Sequence, residues 1–544
     1  MVFSGCLGRG WLMLRGVQGL APARGRRRNA CSGKKQATFQ GSLKRRSTKR
    51  KPYPKSNSPF SFTPIPNPFF RLPYAPCLMT TQTTPAQPHR LLPLLLATAV
   101  FMHMLDATVL NTALPTMAAD LHESPLQMQS AVVSYALTLA LLMPLSGWLS
   151  DRFGIRQVFF GAMLIFVFGS ALCAAATNLP LLVAARVVQG IGGAMMTPVP
   201  RLVMVRAYDK TQLISMMNYV VMPALIGPII GPIVGGYLVE YASWHWIFLI
   251  NLPVGLAAAY LTLKIMPVFP PVAAPRQFDL AGFLLFGMGA VGLSVAVETL
   301  QRADEAWLAG ILMLLGIAAL AGYMWHAKRT TEPLYDKNLL KVRTYRVGLL
   351  GNLSGRIGMS SLPFTLPLLL QVGFGHSATV SGWALAPIAA ASIFAKSLVK
   401  PLVTRFGYRK MLMSNTVIIG AMIMLLALPS ASTPLWLLTP LLLLLGACNS
   451  IQFTGMNTIT LADVRPYQAA SGTSLMSVNQ QLAVGFGTAI SAALLHYFST
   501  LPALAGNVQT AFRCTFLAIG GFTLFSGLIF ARLHRLDGEN LIER

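Results

Sequence analysis

Four ionisable residues stand inside long apolar runs, where charge is costly and is retained for function by default. Asp106 lies in the run at 91–113, with His103 one turn before it; Arg186 lies in the run at 181–205, and Arg356 near the middle of the run at 347–370. Residues three apart on a helix are neighbours, so His103 and Asp106 share a face. Imidazole changes charge near neutral pH unaided, and a carboxylate held by a movable cation can take and release a proton as that cation moves. Asp106 is thus a candidate for proton coupling or substrate contact, against a static helix-packing ion pair. His103 is a candidate relay, against a polar group lining a pore. Arg186 is the natural ion-pair partner for Asp106. Arg356 is flanked by Gly355 and Gly358 and has no obvious acidic partner in its own half of the chain, which suits a cavity-facing or substrate-contacting role. Arg201 and Lys396, nearer the ends of their runs, can snorkel to the interface, and Glu298 is expected there too. One deep carboxylate and two deep arginines make an anionic or zwitterionic ligand at least as credible as a cationic one.

The elements that position these residues follow from composition. The chain has 544 residues, 54% hydrophobic and 11% charged, against roughly 25% charged in soluble domains. Fourteen segments are long and apolar enough for helices that cross a bilayer: near 91–113, 127–149, 158–177, 181–205, 213–238, 247–267, 281–300, 306–326, 347–370, 378–399, 411–429, 435–455, 471–495 and 512–532. They do not alternate apolar with polar as barrel strands do. The expected fold is therefore an all-α polytopic membrane protein.

The net charge of +27 would suggest nucleic acid in a soluble protein, but its distribution says otherwise. Residues 1–78 hold 16 Lys or Arg and no Asp or Glu. The segment suits a transit peptide, a nucleic-acid or lipid-binding tail, or a disordered extension ahead of a working start at Met79; the last is favoured. Beyond it, one set of loops carries Arg152, Arg156, Arg206, Lys210, Lys264, Arg276, Lys328, Arg329, Lys337, Lys341, Arg343, Arg346, Arg405, Arg409, Lys410 and Arg465. The opposite set holds little basic beyond Arg302 and Arg513. Basic loops face the cytoplasm, so an even span count puts both termini there. The cysteines (Cys6, Cys31, Cys77, Cys173, Cys448, Cys514) show no metal-ligand or disulfide spacing, and no metal site is expected.

Three motifs carry mechanism. The loop Gly147-Trp-Leu-Ser-Asp151-Arg152-Phe-Gly154-Ile-Arg156 has glycines for a tight turn and an aspartate able to pair with a basic residue or cap a helix. Pro401-Leu-Val-Thr-Arg405-Phe-Gly407-Tyr-Arg409-Lys410 echoes it without the aspartate, the mark of an internal repeat. Gly227-Pro228-Ile-Ile-Gly231-Pro232-Ile-Val-Gly235-Gly236 places Gly at i, i+4 and i+8, a bare face for close helix approach, with two prolines able to bend it. No GxxxxGK[ST], HExxH or GxSxG occurs. No enzyme, catalytic residue or cofactor is expected, and an ion gradient must supply any energy.

These runs, with Arg186-Val-Val-Gln189-Gly190-Ile-Gly192-Gly193-Ala194, resemble signatures of the major facilitator superfamily. Leu105-Asp106-Ala-Thr108-Val-Leu-Asn111-Thr-Ala-Leu-Pro115 and Ser243-Trp-His-Trp246-Ile-Phe-Leu-Ile-Asn251-Leu-Pro253 resemble its fourteen-span drug:proton antiporter branch, over about 85–535. The resemblance implies two six-helix bundles, 79–267 and 347–535, with two inserted helices and a linker at 268–346 and a cytoplasmic tail at 536–544. It implies proton-coupled efflux of small molecules, of the multidrug kind, across a bacterial inner membrane by alternating access, with Arg186 matching an arginine associated with proton transfer. Expected partners are a small-molecule substrate, protons and membrane lipid, without nucleic acid, in a monomer. The alternatives are an exporter of an endogenous anionic metabolite or metal chelate, and a non-transporting membrane sensor or scaffold.

Overall fold

The computed structural model describes residues 89–538 apart from 209, 270–276, 301–304, 466–467, 503–506 and 535. The extension 1–78, the start at Met79 and the tail beyond 538 lie outside the described residues, as do Arg276 and Arg302. The described residues belong to one compact unit and are helical with no strand.

The chain runs α1 (Leu92–Asp120), α2 (Gln129–Leu142), α3 (Leu145–Phe153), α4 (Ile155–Ala174), α5 (Leu179–Gly193), α6 (Pro198–Ala207), α7 (Lys210–Tyr241), α8 (Trp246–Leu249), α9 (Asn251–Ile265), α10 (Leu280–Thr299) and α11 (Ala306–Arg329). It continues through α12 (Arg343–Leu368), α13 (Ala378–Phe394), α14 (Val399–Leu425), α15 (Leu435–Leu461), α16 (Ala469–Thr500) and α17 (Val508–Ser526). Each of the fourteen expected segments falls on helix. Among the described residues ten helices are long and apolar enough to cross a membrane, or eleven if α2 and α3, bent by 56°, count as one. Outside that set, the part Ile226–Tyr241 of α7 is a shorter apolar helix among the described residues. Helix α12 carries Arg346, Asn352 and Arg356 along its length, and this polarity is what makes it a candidate for function. The stretch Ala378–Leu425 has 48 residues; at about 1.5 Å per residue it would span roughly twice the hydrocarbon thickness, so it must fold back. It does so at Gly407 (φ 73°, ψ 159°).

That break is the second copy of a turn. Gly154 separates α3 from α4 with φ 86° and ψ 140°, a region L-residues rarely enter. Both glycines end an Arg-Phe-Gly triplet, so the sequence echo is an echo of backbone conformation. Gly147 takes no part in the turn: it lies inside α3, where an added β-carbon would meet nothing within 4 Å.

Packing follows the glycines. Gly227, Gly231 and Gly235 lie against Met104, Thr108 and Thr112 of α1, where a β-carbon would collide. Gly236, one residue off that face, meets Ala378 and Thr379 of α13, and Gly382 of α13 meets Pro232 in return. Helix α7 continues unbroken past Pro228 and Pro232 and so seams the first helices to the last ones. The seam is closed at its end by Glu240, whose Oε2 accepts the Thr379 N–H at 3.1 Å. Further joints are α2 with α16 and α1 with α12; just beyond α12, Gln371 Nε2 donates to the Thr112 carbonyl at 3.0 Å.

Helices α10 and α11 pair with each other, and α10 touches α2 and α16. Asp279 pins the linker behind them. Its carboxylate accepts from Gly282 N–H at 2.8 Å, pairs with His326 Nε2 at 2.7 Å, and accepts from Leu334 N–H at 3.0 Å. Asp336 then ties the linker to α16 through Ser471 and Gln468. Burial opposes the charge on Asp279, but the bonds from Gly282, His326 and Leu334 outweigh it and hold its carboxyl below the usual range.

Two outcomes are expected. Gly231→Val drives a side chain into Thr108, an overpacking cost of about 1–3 kcal/mol; its thermal midpoint in detergent should fall, while Gly161→Val, at a position with nothing within 4 Å, should leave it unchanged. The stability from Asp279 is present above the ordinary carboxylate range and lost as pH falls through its lowered value. Hydrogen exchange of the peptide 330–338 should therefore accelerate at that acid limit, and at neutral pH in Asp279→Asn.

Candidate functional site

The site is built around α5. Its side chain Asn178 caps the helix at the Leu181 N–H, and Gly190 and Gly193 let it press on Thr138 and Tyr135 of α2 while Gly192 presses on Ala162 and Phe166 of α4. That closeness carries Arg186 into the protein interior, where it is 1% exposed.

Arg186 Nη1 meets Asp106 Oδ2 of α1 at 2.7 Å and also donates to Gln189 Oε1 at 2.6 Å. Its Nε donates to the Ala131 carbonyl of α2 at 3.2 Å, and its guanidinium lies 4.1 Å from the centre of the Tyr135 ring. The other oxygen of Asp106 is held as firmly: Oδ1 accepts from Gln189 Nε2 at 2.8 Å and from Asn251 Nδ2 of α9 at 3.1 Å. Both amides also reach Ser170 Oγ of α4, at 2.7 and 3.3 Å. Asp106, Arg186, Gln189, Ser170 and Asn251 are all buried. Helices α1, α2, α4, α5 and α9 thus meet at one ion pair, and donors from α5 and α9 occupy both carboxylate oxygens. A buried pair satisfied in this way is rigid, and it can change protonation only by changing partners.

His103 does not bond to Asp106. Its Nδ1 is 2.8 Å from the Tyr135 hydroxyl, and Tyr135 in turn faces Arg186, so His103 joins the cluster through the aromatic ring. Outside this cluster, Asp151 pairs with Arg206 of α6 at 2.8 Å on a half-exposed surface, while Arg152 lies over Trp148.

Arg356 sits in a different cluster. Its guanidinium is 4.7 Å from the Phe453 ring of α15, and its buried Nε has no hydrogen-bond partner. One turn earlier, Asn352 Nδ2 reaches Asn457 Oδ1 at 3.2 Å, and Gln480 Nε2 of α16 reaches the same oxygen at 2.9 Å. Asn352 Oδ1 is buried without a partner. Donors and acceptors left unmade here have a use only if a ligand or water meets them.

Inspection of charged side chains alone misses Tyr135, Ser170, Asn352, Phe453, Asn457 and Gln480. Ser170 and the amides were findable as polar residues inside apolar runs; Tyr135 and Phe453 look like ordinary packing residues. Among the described residues no His, Cys, Asp and Glu cluster could hold a metal.

Comparison with known proteins gives one consistent result. The family model of the Major Facilitator Superfamily matches residues 96–334 and 348–541. The "Putative multidrug resistance protein MdtD" of Serratia proteamaculans is 42% identical over 450 residues, covering 81% of this chain and 92% of that protein. The protein of the same name from Cronobacter sakazakii is 43% identical over 443 residues, covering 81% and 93%. Among solved structures, a bacterial homologue of the lysosomal transporter Spinster, inward-facing and unoccupied, superposes with a TM-score of 0.58 at 15% identity, covering 81% of this chain and 95% of that one. A peptide transporter of the POT family in complex with sulfate gives 0.61 at 15% identity, covering 81% and 94%.

The geometry predicts a double-variant result. Removing one member of a buried ion pair leaves the other charge unpaired, at a cost of about 3–5 kcal/mol. Arg186→Met and Asp106→Leu should each lower thermal stability strongly, and the double variant should be more stable than either. Additive losses would mean that the two residues do not interact.

Proposed function

The chain belongs to the Major Facilitator Superfamily, and on that premise we propose that this multi-pass membrane transporter exports small molecules in exchange for protons across the bacterial inner membrane. In this reading fourteen helices cross the bilayer, the units 79–267 and 347–535 form the two rocking halves, and α10 and α11 stand between them with both termini cytoplasmic. The Lys/Arg bias of the loops supports the orientation, and the paired turns at Gly154 and Gly407 support the repeat.

The observation that carries the reading is the enclosed pair Asp106–Arg186. An ionised pair at this depth has no packing advantage over apolar residues, but it is a device for alternation. A proton arriving on Asp106 cancels its charge and loosens Arg186. Arg186 is then free to turn toward Tyr135 and Gln189, which it already touches. Helices α1 and α5 are thereby allowed a second arrangement. Departure of the proton to the cytoplasm restores the pair. The charge step and the helix step are linked because the same bond belongs to both. The relatives named for multidrug resistance support a broad range of small-molecule cargo.

A second reading concerns cargo charge. Arg356 has no acidic partner among the described residues within salt-bridge distance, and its Nε is unbonded, which favours an endogenous anionic metabolite or a metal chelate held against Arg356 and Phe453.

Both readings are testable in proteoliposomes containing the full chain, with ethidium, fluorescein and a zwitterionic fluoroquinolone as probes. Wild type should accumulate at least one probe against its gradient when a pH gradient is imposed. Asp106→Asn should lose that accumulation yet still equilibrate the probe downhill. Uphill transport by Asp106→Asn at the wild-type rate would remove Asp106 from the coupling step. Arg356→Ala should cut fluorescein transport by about tenfold or more, the scale of one lost hydrogen bond to a charged group, and spare ethidium. Unchanged fluorescein transport would sink the anionic reading.

A further inference from the structure

The stretch Ser243–Pro253 grips α1 at two levels. Near the end of α1, Trp244 Nε1 donates to Asp120 Oδ2 at 2.7 Å, and the Trp244 ring is buried. Fourteen residues back along α1, Asn251 Nδ2 donates to Asp106 Oδ1 at 3.1 Å and reaches Ser170 Oγ at 3.3 Å. Between these points runs the short α8, and Asn251 is the first residue of α9. Trp244 and Asn251 thus hold two carboxylates that stand at separate levels of α1.

Oδ1 of Asp106 already accepts two amide N–H groups, and Oδ2 accepts the arginine. A proton can be added to Oδ1 only when one of those amides withdraws. Gln189 is tied to α5 together with Arg186, and also to Ser170 and Cys173. Asn251 stands on another helix and donates only to Asp106 and Ser170 among the described residues.

We propose that Asn251 is a positioning residue for proton coupling: it holds Asp106 ionised and closed, and its withdrawal with α9 opens the oxygen that receives the proton. The proposal rests on the reading of Asp106 as the coupling carboxylate. The proton comes from water on the acidic side and bonds to Oδ1 as the N–H···O contact from Asn251 breaks. The Asn251 amide keeps its own hydrogens throughout. The titratable or charged groups facing Asp106 among the described residues are His103 on its own helix, Tyr135 on α2, Cys173 on α4 and Arg186 on α5. None of them replaces the donor that Asn251 supplies to Oδ1.

The test is an infrared pH titration of the full chain in lipid, following the carbonyl band of a protonated carboxyl that is present in wild type and absent in Asp106→Asn. In Asn251→Leu, of similar size but without a donor, the midpoint of that band should rise by about one pH unit, the scale of one hydrogen bond to a charged group. In Ser170→Ala, which removes the oxygen that orients both amides, it should rise by less. Asn251→Gln, which can still donate, should return it toward wild type. A midpoint unchanged in both Asn251→Leu and Ser170→Ala overturns the proposal. If Asn251→Leu does not fold, the Ser170→Ala and Asn251→Gln titrations decide the matter on the same criterion. A band that survives in Asp106→Asn overturns the underlying reading of Asp106, and with it this one; a band lost in Asp106→Asn but insensitive to Asn251 and Ser170 overturns this one alone.

Discussion

Two opposite charges taken out of water stay together only where every other donor and acceptor around them is met. That constraint joins α1, α2, α4, α5 and α9. Arg186 has partners on α1, α2 and α5, and Asp106 has partners on α5 and α9. The glycines of α5 exist in this arrangement to bring α2 and α4 close enough to complete the shell, and those of α7 bring α1 alongside. Remove the need to enclose the pair and most of this close packing loses its reason.

Among the later set of helices, α14 and α15 are joined by neutral groups: Asn415 Nδ2 donates to Gln452 Oε1 at 2.8 Å and Gln452 Nε2 to Thr416 Oγ1 at 2.6 Å. This neutral network has the same job of joining neighbouring helices but offers nothing to a proton. The charge of that set is instead Arg356 on α12, beside Phe453 and a row of amides. The two sets thus divide the chemistry: an enclosed, self-satisfied pair in one and a cation awaiting a partner in the other. Helix α7 bridges them by presenting one bare face to α1 and another to α13, so a shift of α1 against α7 has a direct mechanical route to α13.

Much of this was legible in the residues. Helix positions followed from run length, because a bilayer leaves the backbone little choice. Asp106 and Arg186 were legible because a deep carboxylate and a deep arginine in the first four apolar runs have few other places to go. The repeat was legible in Arg-Phe-Gly at 152–154 and 405–407, since only glycine takes the required backbone turn without strain. What was hidden has a common cause. Neutral polar residues such as Ser170 and Asn251 stand out as polar residues in apolar runs, but their shared partner Asp106 shows only once α1, α4, α5 and α9 are placed together. Likewise His103 shares a face with Asp106 as its spacing requires, but which neighbour its ring meets depends on α2, and the structure gives it Tyr135. Gly147 shows the converse: its composition suits a turn, yet the turn is made seven residues later.

On the proposed reading, protonation of Asp106 lets α1 shift against α7 and so moves α7 against α13. The most direct test is a pulsed electron-resonance distance between spin labels at Tyr241, which ends α7, and Trp383 of α13, both exposed, measured in lipid as a function of pH. In wild type the distance distribution should shift to longer values on acidification. In Asp106→Asn, whose side chain mimics the protonated acid, the longer distance should dominate at every pH. The same pH-dependent shift in Asp106→Asn as in wild type would contradict the account.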